Sequence, residues 1–185
     1  MKNTQTDLST YSTDGYSPGK GIVIQTIWYF VNILFFKNSF SVLSGLKVRI
    51  LKWFGATVGK GVVIKPSVNI KYPWRLVIGD HTWIGENVWI DNLAEVTIGS
   101  NVCISQGAML LSGNHNYKKE SFDLITKAIT LEDGVWIGAK SVVCPRVHCK
   151  SHSVLAVGSV AISDLDEYSI YQGNPASVKK KREMI

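Results

Sequence analysis

One histidine in this 185-residue sequence stands where it could act as a base. His115 lies in the segment SGNHNY, directly after a regular repeat ends. A free imidazole has a pKa of about 6.5, so histidine can accept a proton near neutral pH. A lone histidine in a polar loop is more often only a loop residue. The case for His115 therefore depends on the elements that hold it.

The other histidines, His81, His148 and His152, fall in different repeats. A set of three could bind zinc. The phase of the repeat separates them, so we expect no metal. The cysteines have no metal-binding spacing and cannot all pair, which favours a reducing compartment. They are Cys103, Cys144 and Cys149.

Aliphatic residues recur every six positions, with two short insertions and one long gap. The fifteen positions are Val58, Ile64, Ile70, Ile78, Ile84, Ile90, Ile98, Ile104, Leu110, Leu131, Ile137, Val143, Cys149, Leu155 and Ala161. Six residues equal one short strand plus one corner, and three such units make one turn of a triangular prism. We predict an all-β parallel β-helix of about five turns. Glycine often follows the aliphatic residue, and we expect it to supply the unusual backbone angle of the corner.

The repeat breaks once, between Leu110 and Leu131, where the spacing is 21 residues. A solenoid tolerates insertions at its corners. Long loops in compact domains are usually functional or disordered. Apolar residues such as Phe122 and Leu124 indicate that this loop packs on something. It places His115 where the chain leaves the rigid coil.

The sequence divides into four parts. We predict a polar tail (1–20), a helical segment (21–56), the β-helix (57–163) with the inserted loop (111–130), and a C-terminal segment (164–185) with a basic tail. The helices should cover the first turn, which would otherwise expose an open edge.

In the second predicted helix one apolar stripe should face the core. It comprises Leu43, Leu46, Ile50 and Trp53. Lys47 falls off the stripe. Ser39 or Ser41 could cap the start of this helix and Gly55 its end.

The most apolar run, residues 22–36, is shorter than the about 20 residues that span a bilayer. It either packs on the protein or lies at a membrane surface, so a peripheral membrane association stays open. The start is polar, and we expect no signal peptide. We expect a cytoplasmic protein, at the inner face of the membrane if the run binds lipid.

The net charge is +6, and KKKRE stands near the C-terminus. A basic end is usually a solvated tail, and it can also contact phosphates.

From about Trp28 to Lys181 the sequence resembles the hexapeptide-repeat acetyltransferases, most closely the O-acetyltransferases of colanic acid and exopolysaccharide biosynthesis of the WcaF type. Seven motifs carry the resemblance in order: FGATVGKGVVIKPSVNIKYPW, IGDHTWIGENVWIDNL, VTIGSNVCISQGAML, SGNHNY, FDLITKAI, VWIGAKSVV and YSIYQGNPAS. The resemblance implies a left-handed parallel β-helix. It also implies a homotrimer with active sites between neighbouring prisms and acetyl-CoA as co-substrate.

The resemblance makes His115 the general base that takes the proton of a sugar hydroxyl as the oxygen attacks the thioester. Transfer would be direct, without a cysteine or serine nucleophile, and backbone N–H groups would stabilise the oxyanion. No carboxylate partner for His115 is evident, which leaves a backbone carbonyl to orient the ring.

The resemblance also places the cofactor residues. They are Trp136, Ala139, Val157, Ser163, Ser177 and Lys180, with Lys179 and Arg182 as further cations. The acceptor side has the candidates Trp83, Glu86, Asp91 and Asn92. Trp83 could stack on a sugar, whereas Trp89 more simply covers the prism. Asp91 or Asn92 could equally close a turn.

The sequence departs from the family pattern in its last turns. Glu132 and Lys150 replace glycine, Cys149 replaces isoleucine, and Arg146 replaces glycine.

Several functions compete at this point. An amino-sugar N-acetyltransferase or a xenobiotic acetyltransferase would use the same fold. A γ-class carbonic-anhydrase-like protein would need three zinc ligands, and a scaffold would need no His115. We expect a sugar or glycan acceptor and no nucleic acid.

Overall fold

The computed structural model describes residues 5–185, which form a parallel β-solenoid behind two helices. Face A comprises β1 (Thr57–Val58), β4 (Leu76–Ile78), β7 (Val96–Ile98), β12 (Ile129–Leu131) and β15 (His148–Cys149). Face B comprises β2 (Val63–Ile64), β5 (Trp83–Ile84), β8 (Cys103–Ile104), β13 (Trp136–Ile137), β16 (Val154–Leu155), β18 (Ser169–Gly173) and the antiparallel β19 (Ala176–Lys181). Face C comprises β3 (Asn69–Ile70), β6 (Trp89–Asp91), β9 (Met109–Leu111), β14 (Val142–Val143) and β17 (Val160–Ala161).

The predicted parallel β-helix is confirmed, and it has about six turns. Five follow the six-residue period. The sixth begins with the bridge of Leu165 to Cys149 and continues through β18. It escaped the sequence count because Leu165 follows Ala161 by four residues and the buried aromatic Tyr171 fills the next inward position.

All fifteen periodic positions point into the prism, and none is more than 6% exposed. On face B the column runs through Ile64, Ile84, Ile104, Ile137 and Leu155 in strict register. Burying such a side chain contributes about 1.5–3 kcal/mol, so this stack is the main source of stability.

The glycines directly after the aliphatic residues do not supply the unusual backbone angle, so the expectation is wrong for them, but corner glycines such as Gly61 (66°) and Gly107 (68°) do. Left-handed φ values occur two residues later, as at Asn87 (58°) and Lys140 (56°). Gly138 is needed for another reason: a Cβ there would lie 2.6 Å from the Val157 nitrogen of the next turn. The turns simply pass too close for a side chain.

Helix α2 (Ser44–Trp53) covers the first turn, as predicted, but with a different face. Lys47 is fully buried and its Nζ donates to the Lys65 carbonyl over 2.8 Å. Burial lowers the pKa of Lys47 to about 8. Leu43 and Trp53 are exposed, so the predicted stripe is wrong at both ends. Its four-carbon stem lets Lys47 fill an apolar site while its head reaches a carbonyl.

The ends of α2 differ in how well they were predicted. The serine that makes a hydrogen bond near the start of the helix is Ser44, not Ser39 or Ser41. Its hydroxyl accepts from the Ile64 N–H in the first turn of the solenoid over 2.8 Å. No side chain caps the start of the helix. Gly55 ends it with φ +95°, as expected.

Helix α1 (Ile22–Val31) continues into a π-helical turn (Asn32–Phe36) and packs on face C. The Trp28 indole donates to the Ile70 carbonyl over 2.9 Å, and the Asn32 amide donates to Asn69 over 2.8 Å. Within residues 5–185, no helix has the length and apolar character needed to cross a bilayer.

The inserted loop is an antiparallel hairpin of β10 (Gly113–His115) and β11 (Leu124–Thr126). Its neck is closed by the Lys127 N–H, which donates to the Ser112 carbonyl over 2.9 Å. The chain then rejoins face A, where the Ile129 N–H bonds the Glu95 carbonyl.

The N-terminal segment is more than a polar tail where the structure describes it. Residues 1–4 of the predicted tail lie outside the described part. Beyond them, the Asp7 N–H donates to the Glu120 carbonyl over 2.9 Å, and the Leu124 N–H donates to Ser12 over 3.4 Å. The Trp74 indole holds the Pro18 carbonyl over 2.7 Å. The segment thus lies across the hairpin.

Candidate active site

His115 is the last residue of β10, and the hairpin turn fixes its ring. Its Nδ1 lies 3.0 Å from the carbonyl oxygen of Phe122. The Phe122 ring stacks on the imidazole with centroids 4.5 Å apart and an angle of 8°. Phe122 has a φ of +50°, a conformation that bulky residues rarely adopt. That conformation is part of the turn that presents both its ring and its carbonyl to His115.

This contact determines which nitrogen of His115 is free. A carbonyl oxygen can only accept, so Nδ1 must carry the proton that joins it to Phe122. In the neutral ring Nε2 then holds a lone pair. The orienting partner is a backbone carbonyl, in line with the absence of an evident carboxylate partner in the sequence.

Tyr11 borders His115 from the N-terminal segment. The two ring centroids are 5.9 Å apart at 51°. Sequence reasoning missed this residue, because nothing in the polar start of the chain indicates that it returns to the hairpin.

Three of the predicted cofactor residues lie together in one groove on face B. Trp136, Ala139 and Val157 line a cavity of about 620 Å³ whose floor is largely apolar. The Trp136 indole donates to the Ser105 hydroxyl over 2.9 Å, which holds the ring at the groove wall. The groove crosses the third to sixth turns.

The cations are divided between this groove and its margin. Arg182 lines the groove, and its Nη1 donates to the carbonyls of Gly134 (3.0 Å) and His152 (3.1 Å). Lys180 pairs with Ile170, which also lines the groove. Arg182 therefore lines the groove itself, although the sequence suggested it only as a further cation.

The two predicted serines lie outside the groove lining. Ser177 sits on β19 opposite Gln172 and is exposed. Ser163 follows β17, at the corner between faces C and A, and is also exposed. Within one chain, Ser163 lies away from the groove.

Trp83 and Glu86 lie on the same side of the prism as the groove. Trp83, Cys103 and Trp136 are successive partners on face B. Glu86 stands at the corner between faces B and C, where the Gly107 N–H donates to its carbonyl. Both side chains are exposed and free to meet a ligand.

Asp91 and Asn92 have different surroundings. Asp91 Oδ1 forms an ion pair with Lys71 Nζ at 3.2 Å, in a cleft of about 310 Å³ between α1 and face C. Trp89 lines this cleft as well. Asp91 is thus separate from Trp83 and Glu86, which lie on the side of the prism that carries the groove, one turn before it.

The assignment of Asn92 to the acceptor is corrected by the structure. The residue is fully buried. Its amide nitrogen donates to the Tyr72 carbonyl over 2.6 Å, and its oxygen accepts from the Tyr72 N–H over 2.9 Å. Asn92 closes a turn, which was the alternative left open.

The departures from the family pattern have structural partners. The Glu132 carboxylate accepts from Ser151 Oγ (2.6 Å) and lies 2.6 Å from His148 Nε2. The Ser151 hydroxyl is the main cause that lowers the pKa of Glu132. Lys150 pairs with Asp166 at 2.8 Å. Burial raises the pKa of the Cys149 thiol to about 12, which makes it a poor nucleophile.

Metal ligation was a competing possibility. Across residues 5–185, no three His, Cys, Asp or Glu side chains come together as a metal site would need.

The hairpin and the groove occupy different parts of the prism. The hairpin leaves between face C and face A after β9. The groove lies on face B and on the corner between faces B and C, where Ala139 and Val157 stand.

Solved hexapeptide-repeat acetyltransferases share this fold. The hexapeptide-repeat-containing acetyltransferase VCA0836 of Vibrio cholerae O1 biovar eltor, solved with acetyl coenzyme A, superposes with a TM-score of 0.81. It is 21% identical, covering 95% of this chain and 97% of that one. Galactoside acetyltransferase in complex with coenzyme A has a TM-score of 0.77 and 22% identity, covering 87% and 82%. These likenesses show a shared fold.

The chain belongs to the hexapeptide-repeat acetyltransferases. Within them it is 35% identical over 177 residues to the putative colanic acid biosynthesis acetyltransferase WcaF of Escherichia coli (strain K12), covering 95% of this chain and 97% of WcaF. No protein-family model matches the chain.

Proposed function

We propose that this protein transfers the acetyl group of acetyl-CoA to a sugar hydroxyl of an exopolysaccharide, capsule or related glycan precursor, with His115 as general base. The observation that carries the proposal is the 3.0 Å contact of His115 Nδ1 with the Phe122 carbonyl, which in the neutral ring puts the lone pair on Nε2. The similarity to WcaF, whose name refers to colanic acid biosynthesis, supports the acceptor class.

The reaction needs one proton transfer. Nε2 of His115 takes the hydroxyl proton as the sugar oxygen forms a bond to the thioester carbonyl carbon. The tetrahedral intermediate then breaks its carbon–sulfur bond. The coenzyme leaves as a thiol after it takes the proton back from the imidazolium. No covalent enzyme intermediate is required, because an oriented thioester is already reactive.

The groove on face B suits acetyl-CoA. Its apolar floor at Trp136, Ala139 and Val157 fits the pantetheine arm. Arg182 and the exposed Lys179 and Lys180 supply positive charge for the phosphates. The Ala139 N–H has no hydrogen-bond partner among residues 5–185, so it is a donor available to the thioester oxygen.

We infer a homotrimer, and the separation of hairpin and groove within one chain supports an active site between subunits. In this assembly His115 of one prism would face acetyl-CoA in the groove of a neighbour. The hairpin leaves after β9, on the third turn, and the groove begins on that turn at Ser105. Because the hairpin and the start of the groove lie at the same height along the prism, a head-to-tail contact between subunits can close into a ring. In such a ring Ser163 could also face the neighbour's groove.

The acceptor would bind beside Trp83 and Glu86, which line the same side as the groove. An indole ring offers a flat apolar surface to a sugar, and a carboxylate accepts from hydroxyl groups. Asp91 is the less direct candidate, since it is paired with Lys71. We infer a cytoplasmic location from the three unpaired cysteines, since such thiols persist in reducing compartments.

The test compares two histidine-to-asparagine variants in an assay of released coenzyme A thiol. His115→Asn keeps a donor for the Phe122 carbonyl and loses the base, so kcat should fall about 10²–10⁴-fold. His81→Asn is the matched control, because His81 is exposed and asparagine tolerates its φ of 56°. Unchanged turnover in His115→Asn would refute the assignment.

The acceptor panel decides between the chemical classes. Sugars that carry hydroxyl groups only should support thiol release. Turnover restricted to amino sugars or to drug-like amines would replace O-acetylation with N-acetylation on the same fold.

A further inference from the structure

Helix α1 and its π-helical turn expose an apolar side to solvent, which is unusual for a helix at the surface of a protein. The buried stripe is Trp28, Asn32 and Phe36, which includes a polar amide. The opposite side is apolar and exposed. Its outward stripe consists of Val23 (67% exposed), Ile27 (46%), Phe30 (57%) and Leu34 (60%). A water-facing helix shows polar residues there.

The apolar surface extends beyond α1. Trp53, at the end of α2, is 77% exposed and lines one cleft together with Ile27 and Lys20. We call the stripe of α1 together with Trp53 the apolar plate. Contiguous exposed apolar surface of this kind marks a site of interaction with a membrane or another protein.

The charge around the plate identifies the kind of partner. Between Asp14 and Asp80 the chain has nine Lys and Arg residues and no Asp or Glu. Lys20 lines the cleft beside the plate, and Lys52 precedes Trp53 in α2; both are exposed. Arg49 of α2 and Lys37, directly after the π-helical turn, are exposed as well. Protein interfaces are depleted in lysine, whereas basic residues around an apolar helix face are typical of binding to anionic lipid.

The length of the helix sets the mode of binding. The fifteen residues of α1 and the π-helical turn are about 22 Å long, short of the about 30 Å of a bilayer core. Such a helix can lie in the plane of the surface, with apolar side chains among the acyl chains and lysines at the headgroups.

We propose that the apolar plate docks this protein on an anionic lipid bilayer, with α1 parallel to the surface. The plate is formed by Val23, Ile27, Phe30, Leu34 and Trp53. Lys20 and Lys52 contact the headgroups at its margin. This binding does not depend on acetyl transfer and can be measured without it.

Vesicle sedimentation tests the proposal on the full-length protein. The wild type should pellet with phosphatidylcholine vesicles that contain phosphatidylglycerol, less with phosphatidylcholine alone, and less at high salt. The variant Val23→Ser/Phe30→Ser/Leu34→Ser should lose roughly a hundredfold in partition coefficient. Its side chains are exposed, so circular dichroism should show an unchanged fold.

Two controls match these changes. Ile162→Ser/Val178→Ser/Met184→Ser removes three equally exposed apolar side chains at the other end of the chain and should bind like the wild type. Lys20→Gln/Lys52→Gln should lose binding only to the anionic vesicles, whereas Lys118→Gln/Lys127→Gln, on the hairpin, should not.

Three results would overturn the proposal. The wild type could fail to pellet at millimolar anionic lipid, or the plate variant could pellet as well as the wild type. Sedimentation velocity could also show that the plate variant forms a smaller particle than the wild type, in which case a second copy of the chain covers the plate.

Discussion

At the scale of single residues, the central pair is His115 and Phe122. Phe122 orients the imidazole twice, through its carbonyl and through its ring, and only the carbonyl fixes the tautomer. The proposed base therefore depends on a residue that has no chemical role of its own. Tyr11 adds a third contact from the start of the chain.

Removal of the Phe122 ring separates these two effects. Phe122→Gly keeps the carbonyl and accepts a φ of +50°, but it loses the stack. We expect kcat to fall about tenfold, since a base must be held closely to its productive geometry. The KM for acetyl-CoA should not change, because the groove is untouched.

Phe122→Tyr is the control and should retain the wild-type rate. A Phe122→Gly enzyme with full kcat would show that the stacked ring does not position His115.

At the scale of elements, the sequence predicted what depends on local spacing. Six-residue periodicity places the fifteen predicted inward positions of the first five turns, because each strand and corner is short and repeats. The break in the period marked the hairpin and His115. The contacts of Lys47 and Asn92 could not be predicted in this way, because each depends on a carbonyl of a neighbouring element.

The contacts of the N-terminal segment could not be predicted from the sequence either. Its hydrogen bonds to Glu120 and Leu124 are made by backbone groups, which leave no trace in the residue types. Likewise, a helix such as α1 reads as apolar from the sequence, but only the structure shows which of its sides is covered.

The attachment of α2 to the solenoid predicts an unusual pH dependence of stability. The pKa of Lys47 falls from about 10.5 in the unfolded chain to about 8 in the fold, so the folded state holds its proton less firmly. The burial cost of the charge is present at neutral pH and disappears as the pH rises above 8.

Lys47→Met isolates this effect. The unfolding free energy of the wild type, relative to the Lys47→Met protein, should rise by about 2 kcal/mol between pH 7.5 and pH 10. Denaturant unfolding of both proteins at each pH measures it. A difference that stays constant over this range would show that Lys47 remains charged in the fold.

At the scale of the whole molecule, the separation of hairpin and groove predicts a shared active site. Two variants that we expect to be inactive test this: His115→Asn removes the proposed base, and Val157→Trp blocks the groove at an exposed position. In mixed rings a subunit with an intact hairpin can face a neighbour with an intact groove. Co-expression should restore about a quarter of the wild-type activity.

Each protein alone supplies the baseline, and each should have the mass of three 20.5 kDa chains. Activity that stays at the baseline in mixed particles would place base and groove in the same chain.

The narrow neck of the hairpin has a consequence for how this enzyme could change. Ser112 and Lys127 are joined by one hydrogen bond, and the stack closes beneath them as though the residues between were absent. The sequence between Ser112 and Lys127 therefore has little effect on the solenoid turns that provide the stability. The residues of the insert around the His115–Phe122 pair can therefore vary in sequence and length at little cost to the stability of the solenoid.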